Sequence, residues 1–367
     1  MQGATLVPRS MSPSLRVFEF DAFGYVAHSA FAKRAAFLYF RRSIQGPMIM
    51  MTSVEATSGW AARQDAGGGP VGPSISVGDS AKFSTDRVQA IRHDFHRHPL
   101  LQLPELAKLA KVLTATRQCR FIPAGATQAT PFEHGASDPG GRKIDEVFAR
   151  MEEPGSWVAL YNVETHPPYQ ALLEEITASV RPLVERQEGR MFGVGGFIFI
   201  SAPPSVTPFH IDRENNFWLQ IRGRKVMNVW DPTDSHVVAD IDRETFVVNA
   251  SLDNVRLKDG FKERSHEFDV GPGDGVYFPS TSPHMTRCDT AWVRAGEGIS
   301  ISIGVVFYTD ATKRIARLHV LNRFLRRLGM NPAVPGARAR VDALKVPLAN
   351  ALVWTKKVLR GYARAGI

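Results

Sequence analysis

The sequence predicts a mainly β protein, an antiparallel sandwich or barrel with helices on its N-terminal and C-terminal sides. Two observations carry that reading. From Phe192-Gly193-Val194-Gly195-Gly196-Phe197-Ile198-Phe199-Ile200 onward, short runs of β-branched and aromatic residues recur at even spacing between turn residues, the rhythm of strands that return beside one another. On either side of that stretch the apolar residues recur three and four apart, as on one face of a helix.

Taken in order, residues 1–80 show no sustained periodicity and end in Gly67-Gly68-Gly69-Pro70-Val71-Gly72-Pro73-Ser74. Burial by such a composition does not offset ordering entropy, so a disordered leader is expected. Between 82 and 190 one apolar stripe is Leu103, Leu106, Leu109, Val112 and Leu113, and another is Leu172, Leu173, Ile176, Val180, Leu183 and Val184. These helices are expected to pack on the outside of the sheet domain, with a Gly-, Pro- and Asp-rich loop at 128–141 between them. Strands are expected at 192–200, 216–222, 225–230, 245–249, 266–270, 275–279, 284–288 and 298–307. Beyond Thr309 the helical pattern returns with Ile315, Leu318, Leu321, Leu325 and Leu328 on one face. A second segment, Leu344 to Tyr362, is interrupted by Pro347. The chain thus divides into a leader (1–80), a β domain with its N-terminal helical layer (81–310) and a basic helical extension (311–367).

Charge separates the extension from the rest. The chain carries a formal +9, yet residues 311–367 hold thirteen Lys and Arg against the single acid Asp342, which leaves the remainder slightly negative. A cationic tail on a near-neutral body suits an acidic partner, such as nucleic acid, an anionic surface or an acidic protein. Basic helices that cap the domain or form a homodimer contact, with their charges in water, account for the same composition. Two cysteines are too few for a disulfide framework, and no apolar run reaches the ~18 residues of a membrane span. A soluble, cytoplasmic protein is expected.

The chemistry concentrates in Thr207-Pro208-Phe209-His210-Ile211-Asp212 and Phe278-Pro279-Ser280-Thr281-Ser282-Pro283-His284. His210 and Asp212 are two apart, so an extended strand points both side chains to one face. His284 follows a turn and a strand that would return it to the same barrel mouth. Two neutral imidazoles and one carboxylate form a ligand set for iron(II) that leaves coordination positions open for oxygen and a co-substrate. A second histidine group, His93, His96 and His98, is interleaved with arginines and reads as a solvated loop. Trp218, Trp230, Phe209 and Phe217 read as core aromatics before pocket lining.

The run Val206-Thr207-Pro208-Phe209-His210-Ile211-Asp212-Arg213-Glu214-Asn215-Asn216-Phe217-Trp218-Leu219-Gln220-Ile221-Arg222-Gly223-Arg224-Lys225 resembles the JmjC-type, cupin-fold iron(II)/2-oxoglutarate oxygenases. Among these it is most similar to the asparaginyl hydroxylase that inhibits hypoxia-inducible factor. The resemblance implies a double-stranded β-helix (jelly-roll) barrel. It implies Fe(2+) on His210, Asp212 and His284, with 2-oxoglutarate and O2 as co-substrates. Thr207 and Lys225 fall where the family binds the distal carboxylate of 2-oxoglutarate, and Asn216 where a residue lies near the co-substrate. Lys supplies a point charge with three donors, which suits that carboxylate. Arg294 is a rival anchor at the position other 2-oxoglutarate oxygenases use, but it lacks their Ser or Thr two residues on, having Gly296. Gly304 stands where the hydroxylase has an Asn, and Tyr161 is the candidate for a further hydrogen-bond donor. The function implied is hydroxylation of a protein side chain or a small molecule. The alternatives are a metal-binding cupin enzyme, or a ligand-sensing regulator, that does not use 2-oxoglutarate.

Overall fold

A computed structural model describes residues 72–121, 127–130, 143–289, 291 and 298–364, with side-chain surroundings to 358. Among the described residues twelve strands form two antiparallel sheets. In chain order they are β1 (Ile75–Ser76), β2 (Gln89–His93), β3 (Cys119–Phe121), β4 (Trp157–Leu160), β5 (Met191–Ser201), β6 (Ser205–His210), β7 (Asn215–Arg222), β8 (Lys225–Val229), β9 (His266–Val270), β10 (Asp274–Phe278), β11 (His284–Cys288) and β12 (Ser300–Thr309). The large sheet runs β1-β2-β10-β7-β12-β5-β4-β3 and the small one β6-β11-β8-β9. The interleaving of early and late strands in both sheets is that of a jelly roll.

Side-chain parity explains how one strand serves two cores. On β7, Phe217, Leu219 and Ile221 face the helical layer, while Trp218 points the other way and packs with Met227, Val229, Val270, Val276 and Phe278 between the sheets. Helices α1 (Leu103–Ala115), α3 (Pro167–Ala178) and α4 (Arg181–Glu188) press Leu106, Leu109, Leu113, Leu172, Ile176 and Val184 onto Ile198, Ile200, Ile301, Ile303 and Val305 of the large sheet. Each such side chain contributes about 1.5–3 kcal/mol on burial. A short helix, α2 (Ile144–Ala149), precedes β4. Gly196 on β5 allows the closest approach of this layer, since a Cβ there would lie 2.7 Å from Val163 Cγ2.

Several expectations are corrected. Residues 245–249 are not a strand but the end of α5 (Asp240–Asn249). Asp240 and Asp242 complement its N-terminal dipole, and Phe246 and Val247, which read as β-formers, bury one helical face against Trp230 and Val238. The region read as purely helical also holds β2, β3 and β4, each five residues or fewer. The expected leader overlaps the described residues at 72–80, where Ile75 pairs with His93. Residues 1–71 and most of the loop 128–141 lie outside the described residues. Pro347 does not divide the last segment: α7 (Ala339–Arg364) runs through it, although an interior proline removes a backbone hydrogen bond. It packs Val346, Ala349 and Leu352 on Leu318, Leu321 and Leu325 of α6 (Asp310–Arg327). None of the described helices is long and apolar enough to cross a membrane.

The histidine-rich segment does not form a solvated loop either. His93 is 4% exposed, its Nε2 within 3.0 Å of Gln220 O and 3.2 Å of Asp274 O, and its Nδ1 accepts from Phe95 N. It joins β2 to the barrel as structure. Burial lowers its pKa from 6.5 to about 4, against the raising effect of the Gln220 carbonyl. Between those values the unfolded chain binds a proton at this site and the folded chain does not. Stability is therefore lost as pH falls from 6.5 toward 4, by up to about 3 kcal/mol. Thermal melts across that window should show a shallower acid-side fall for His93→Gln than for wild type; an equal slope would exclude this contribution.

Candidate metal centre

Strand register brings the three predicted ligands together. Within the small sheet His284 on β11 sits directly opposite His210 on β6, and the two rings lie 4.1 Å apart between centroids. Asp212 follows the end of β6, and its Oδ2 stands 3.8 Å from His210 Nε2 and 3.4 Å from His284 Nε2. His210 and His284 are 4% and 5% exposed.

Each imidazole is oriented from behind. His210 Nδ1 lies 2.8 Å from Pro208 O and His284 Nδ1 3.0 Å from Ser282 O, in each case the carbonyl two residues earlier. A carbonyl can only accept, so Nδ1 carries the proton and Nε2 presents its lone pair toward Asp212. Donors bound to one small divalent ion at roughly 2.1 Å and at right angles stand roughly 3 Å apart. The separations of 3.4 and 3.8 Å need only slight contraction to meet that. Among the described residues this is the one group of His, Cys, Asp or Glu able to hold a metal. The donor set suits iron(II) and leaves the remaining positions open.

The other predicted residues lie on the inward faces of neighbouring strands. Thr207 is buried on β6 opposite Thr286 of β11. Lys225 opens β8 just after Gly223, whose φ of +64° makes the turn and whose missing Cβ would meet Ile299 O at 2.6 Å. Along β8, Val229 is opposite His284, so Lys225 enters the barrel four residues away, roughly 13 Å along the strand. Its side chain is 2% exposed, with Nζ 5.8 Å from the Trp218 ring and donating to Ser302 Oγ at 3.2 Å. Burial holds its pKa below the ordinary lysine value, and no carboxylate offsets this among the described residues. Asn216 is 4% exposed and its Oδ1 has no hydrogen-bond partner among the described residues. A Cβ at Gly304 would lie 3.2 Å from both amide atoms of Asn216, so the glycine leaves room for that amide. Arg294 lies outside the described residues.

Tyr161 is half-buried against Phe197, with ring centroids 5.2 Å apart, and its hydroxyl accepts from Arg120 Nη1 at 3.3 Å. Desolvation raises its pKa, Arg120 opposes the rise and the Asp212 carboxylate adds to it. Sequence reasoning missed Arg120 and Ser302. Ser302 had a signal: in Ser300-Ile301-Ser302-Ile303-Gly304 the small polar residues alternate with isoleucines that belong to the helix-side core. Of the aromatics, Phe209 and Trp230 pack in the core beneath α5 and Phe217 in the core beneath the helical layer, as expected.

No curated protein matches the chain. Among solved structures, Escherichia coli YcfD is similar at 17% identity over 70% of this chain and 59% of that one, with a TM-score of 0.40. A second, described as YcfD, a ribosomal oxygenase from Escherichia coli in complex with cobalt and 2-oxoglutarate, shows 17% identity over 69% and 56%, with a TM-score of 0.36. The chain spans 56 to 59% of the length of those proteins. Residues 149–309 match the cupin-like domain family. That stretch contains the strands of both sheets from β4 to β12 and all three predicted ligands.

Proposed function

We propose that the protein is a JmjC-type, iron(II)- and 2-oxoglutarate-dependent oxygenase that hydroxylates a protein side chain or a small molecule. The observation that carries this reading is Lys225. A fully buried ammonium with one hydroxyl donor-acceptor partner is costly unless an anion is brought to it. A short dicarboxylate, held at its keto-acid end by the metal, would place its far carboxylate on Lys225. A metal-binding cupin or ligand sensor whose ligand carries no anionic group would leave that cation uncompensated.

The chain's own groups then have defined work. His210, Asp212 and His284 hold the ion, and their buried setting excludes bulk water from it. Lys225 and Ser302 fix the distal end of the co-substrate, with Thr207 on the adjoining strand. Asn216 offers a carbonyl oxygen and an amide for groups nearer the metal. Iron(II), 2-oxoglutarate and O2 together would supply the oxidising chemistry, yielding succinate and CO2 as the substrate C–H is hydroxylated.

The C-terminal helices support a reading of partners. α7 exposes Leu344 at 82%, Leu348 at 56% and Trp354 at 67%, an apolar face that suits self-association, while the surrounding Lys and Arg suit an acidic partner. Two buried, unpaired cysteines, Cys119 and Cys288, suit a reducing cytoplasm.

Two measurements test the oxygenase reading. Asp212→Ala should abolish succinate production from 2-oxoglutarate and remove the rise in melting temperature on adding iron(II) or manganese(II); retention of either would exclude Asp212 as a ligand. Lys225→Met should bind metal as wild type does but bind 2-oxoglutarate about 10- to 100-fold more weakly in anaerobic calorimetry, as expected for losing a charged hydrogen-bond partner. Unchanged 2-oxoglutarate affinity would transfer the anchor elsewhere, Arg294 being the first candidate.

A further inference from the structure

Asp212 lies beyond the last paired residue of β6, so no strand ladder sets its distance from His284. The turn that carries it, Ile211 to Glu214, is instead fastened to the Pro279–Pro283 turn that leads into His284. Thr281 N donates to Asp212 O at 2.8 Å, and Ser280 Oγ donates to Arg213 O at 2.7 Å. The third fastening is a side chain. Asn215 Oδ1 accepts from Ser280 N at 2.8 Å, while its Nδ2 donates to Glu188 Oε2 at 3.0 Å. The same Glu188 oxygen accepts from Thr309 Oγ1 at 2.5 Å. Asn215 is 1% exposed and Thr309 wholly buried.

We propose that Asn215 is a positioning residue of the metal centre, setting the separation of Asp212 and His284 by bridging the Ser280 turn to Glu188. The inference rests on reading His210, Asp212 and His284 as metal ligands. Its basis is chemical: the site needs an acceptor facing a backbone N–H and a donor facing a carboxylate, on one short side chain. An amide supplies both on separate atoms, which lets it bridge the two groups. Alanine would leave a buried N–H and a carboxylate oxygen each without this partner, and aspartate would set a second carboxylate against Glu188. Neither Asn215 nor Glu188 belongs to the ligand set or the inward-facing residues described above, so neither touches metal or co-substrate.

The experiment is a cobalt(II) titration of the full-length protein under anaerobic conditions, followed by visible absorption, with metal-free melting temperatures measured in parallel. Asn215→Ala should bind cobalt(II) at least tenfold more weakly, the scale on which supports behind metal ligands act, with an altered visible band shape. Asn215→Asp should be weaker still. Combining Asn215→Asp with Glu188→Gln exchanges donor and acceptor and should recover part of the affinity and the wild-type band. A variant that melts lower yet keeps wild-type cobalt affinity and band shape would overturn the proposal, since that is the signature of a purely structural residue. Should Asn215→Ala not fold, the exchange pair decides: a double variant no better than Asn215→Asp alone also overturns it. Wild-type protein without a cobalt spectrum would overturn the metal reading itself, and this inference with it.

Discussion

The antiparallel pairing of β6 with β11 is the constraint on which the rest depends. It places His210 opposite His284, and strand periodicity makes that placement all or nothing. A slip of one residue would turn Met285 inward, where it now packs with Phe209 and Trp230 in the apolar cluster beneath α5. The register is therefore held from both faces: the histidines cannot leave the interior without burying polar rings among apolar ones, and Met285 cannot enter without opening a cavity. A bulge between His284 and Thr286 adjusts the strand locally, as bulges beside functional sites often do.

Beside the apolar cluster around Trp218, the barrel interior also holds polar groups. Lys225, Asn216, Gln220 and Thr207 are buried there, and Asn216 and Gln220 each keep an acceptor oxygen with no partner among the described residues. Such groups cost free energy in a dry interior. Burial on the opposite face of the same strands offsets that cost, where the helical layer covers Ile198, Ile200, Ile301, Ile303 and Val305. This division lets the inward face keep polar groups only partly paired.

The grouping of His210 with Asp212 was legible because it is local, two residues apart in the chain, whereas His284 comes five strands later and was placed beside them by the turn and strand that precede it. The inward placement of Lys225, Thr207 and Asn216 was expected from resemblance, and strand parity alone would not have separated Lys225 from a hairpin-tip lysine. What was not legible depends on long-range burial. Phe246-Val247 carries β propensity, yet tertiary packing of α5 overrides it. The β4 strand is buried on both faces and so shows no alternation to read. The bond from Ser280 to Asn215 joins residues 65 apart, and no pattern within either segment announces it.

The basic extension divides on the same physical ground. Part of its charge is structural: Arg326 pairs with Glu244, itself 2% exposed, Arg317 donates to Asn350, and Lys345 donates to Asn322, which binds Ala333 O in turn. These contacts fasten α5, α6 and α7 to one another. Thr309 extends the fastening inward, because it caps α6 through Thr312 N while its hydroxyl donates to Glu188. The helices that composition alone set apart as a tail thus meet, through two hydrogen bonds at Glu188, the same asparagine that braces the turn of Asp212. The extension and the barrel are thus joined through one continuous hydrogen-bonded path.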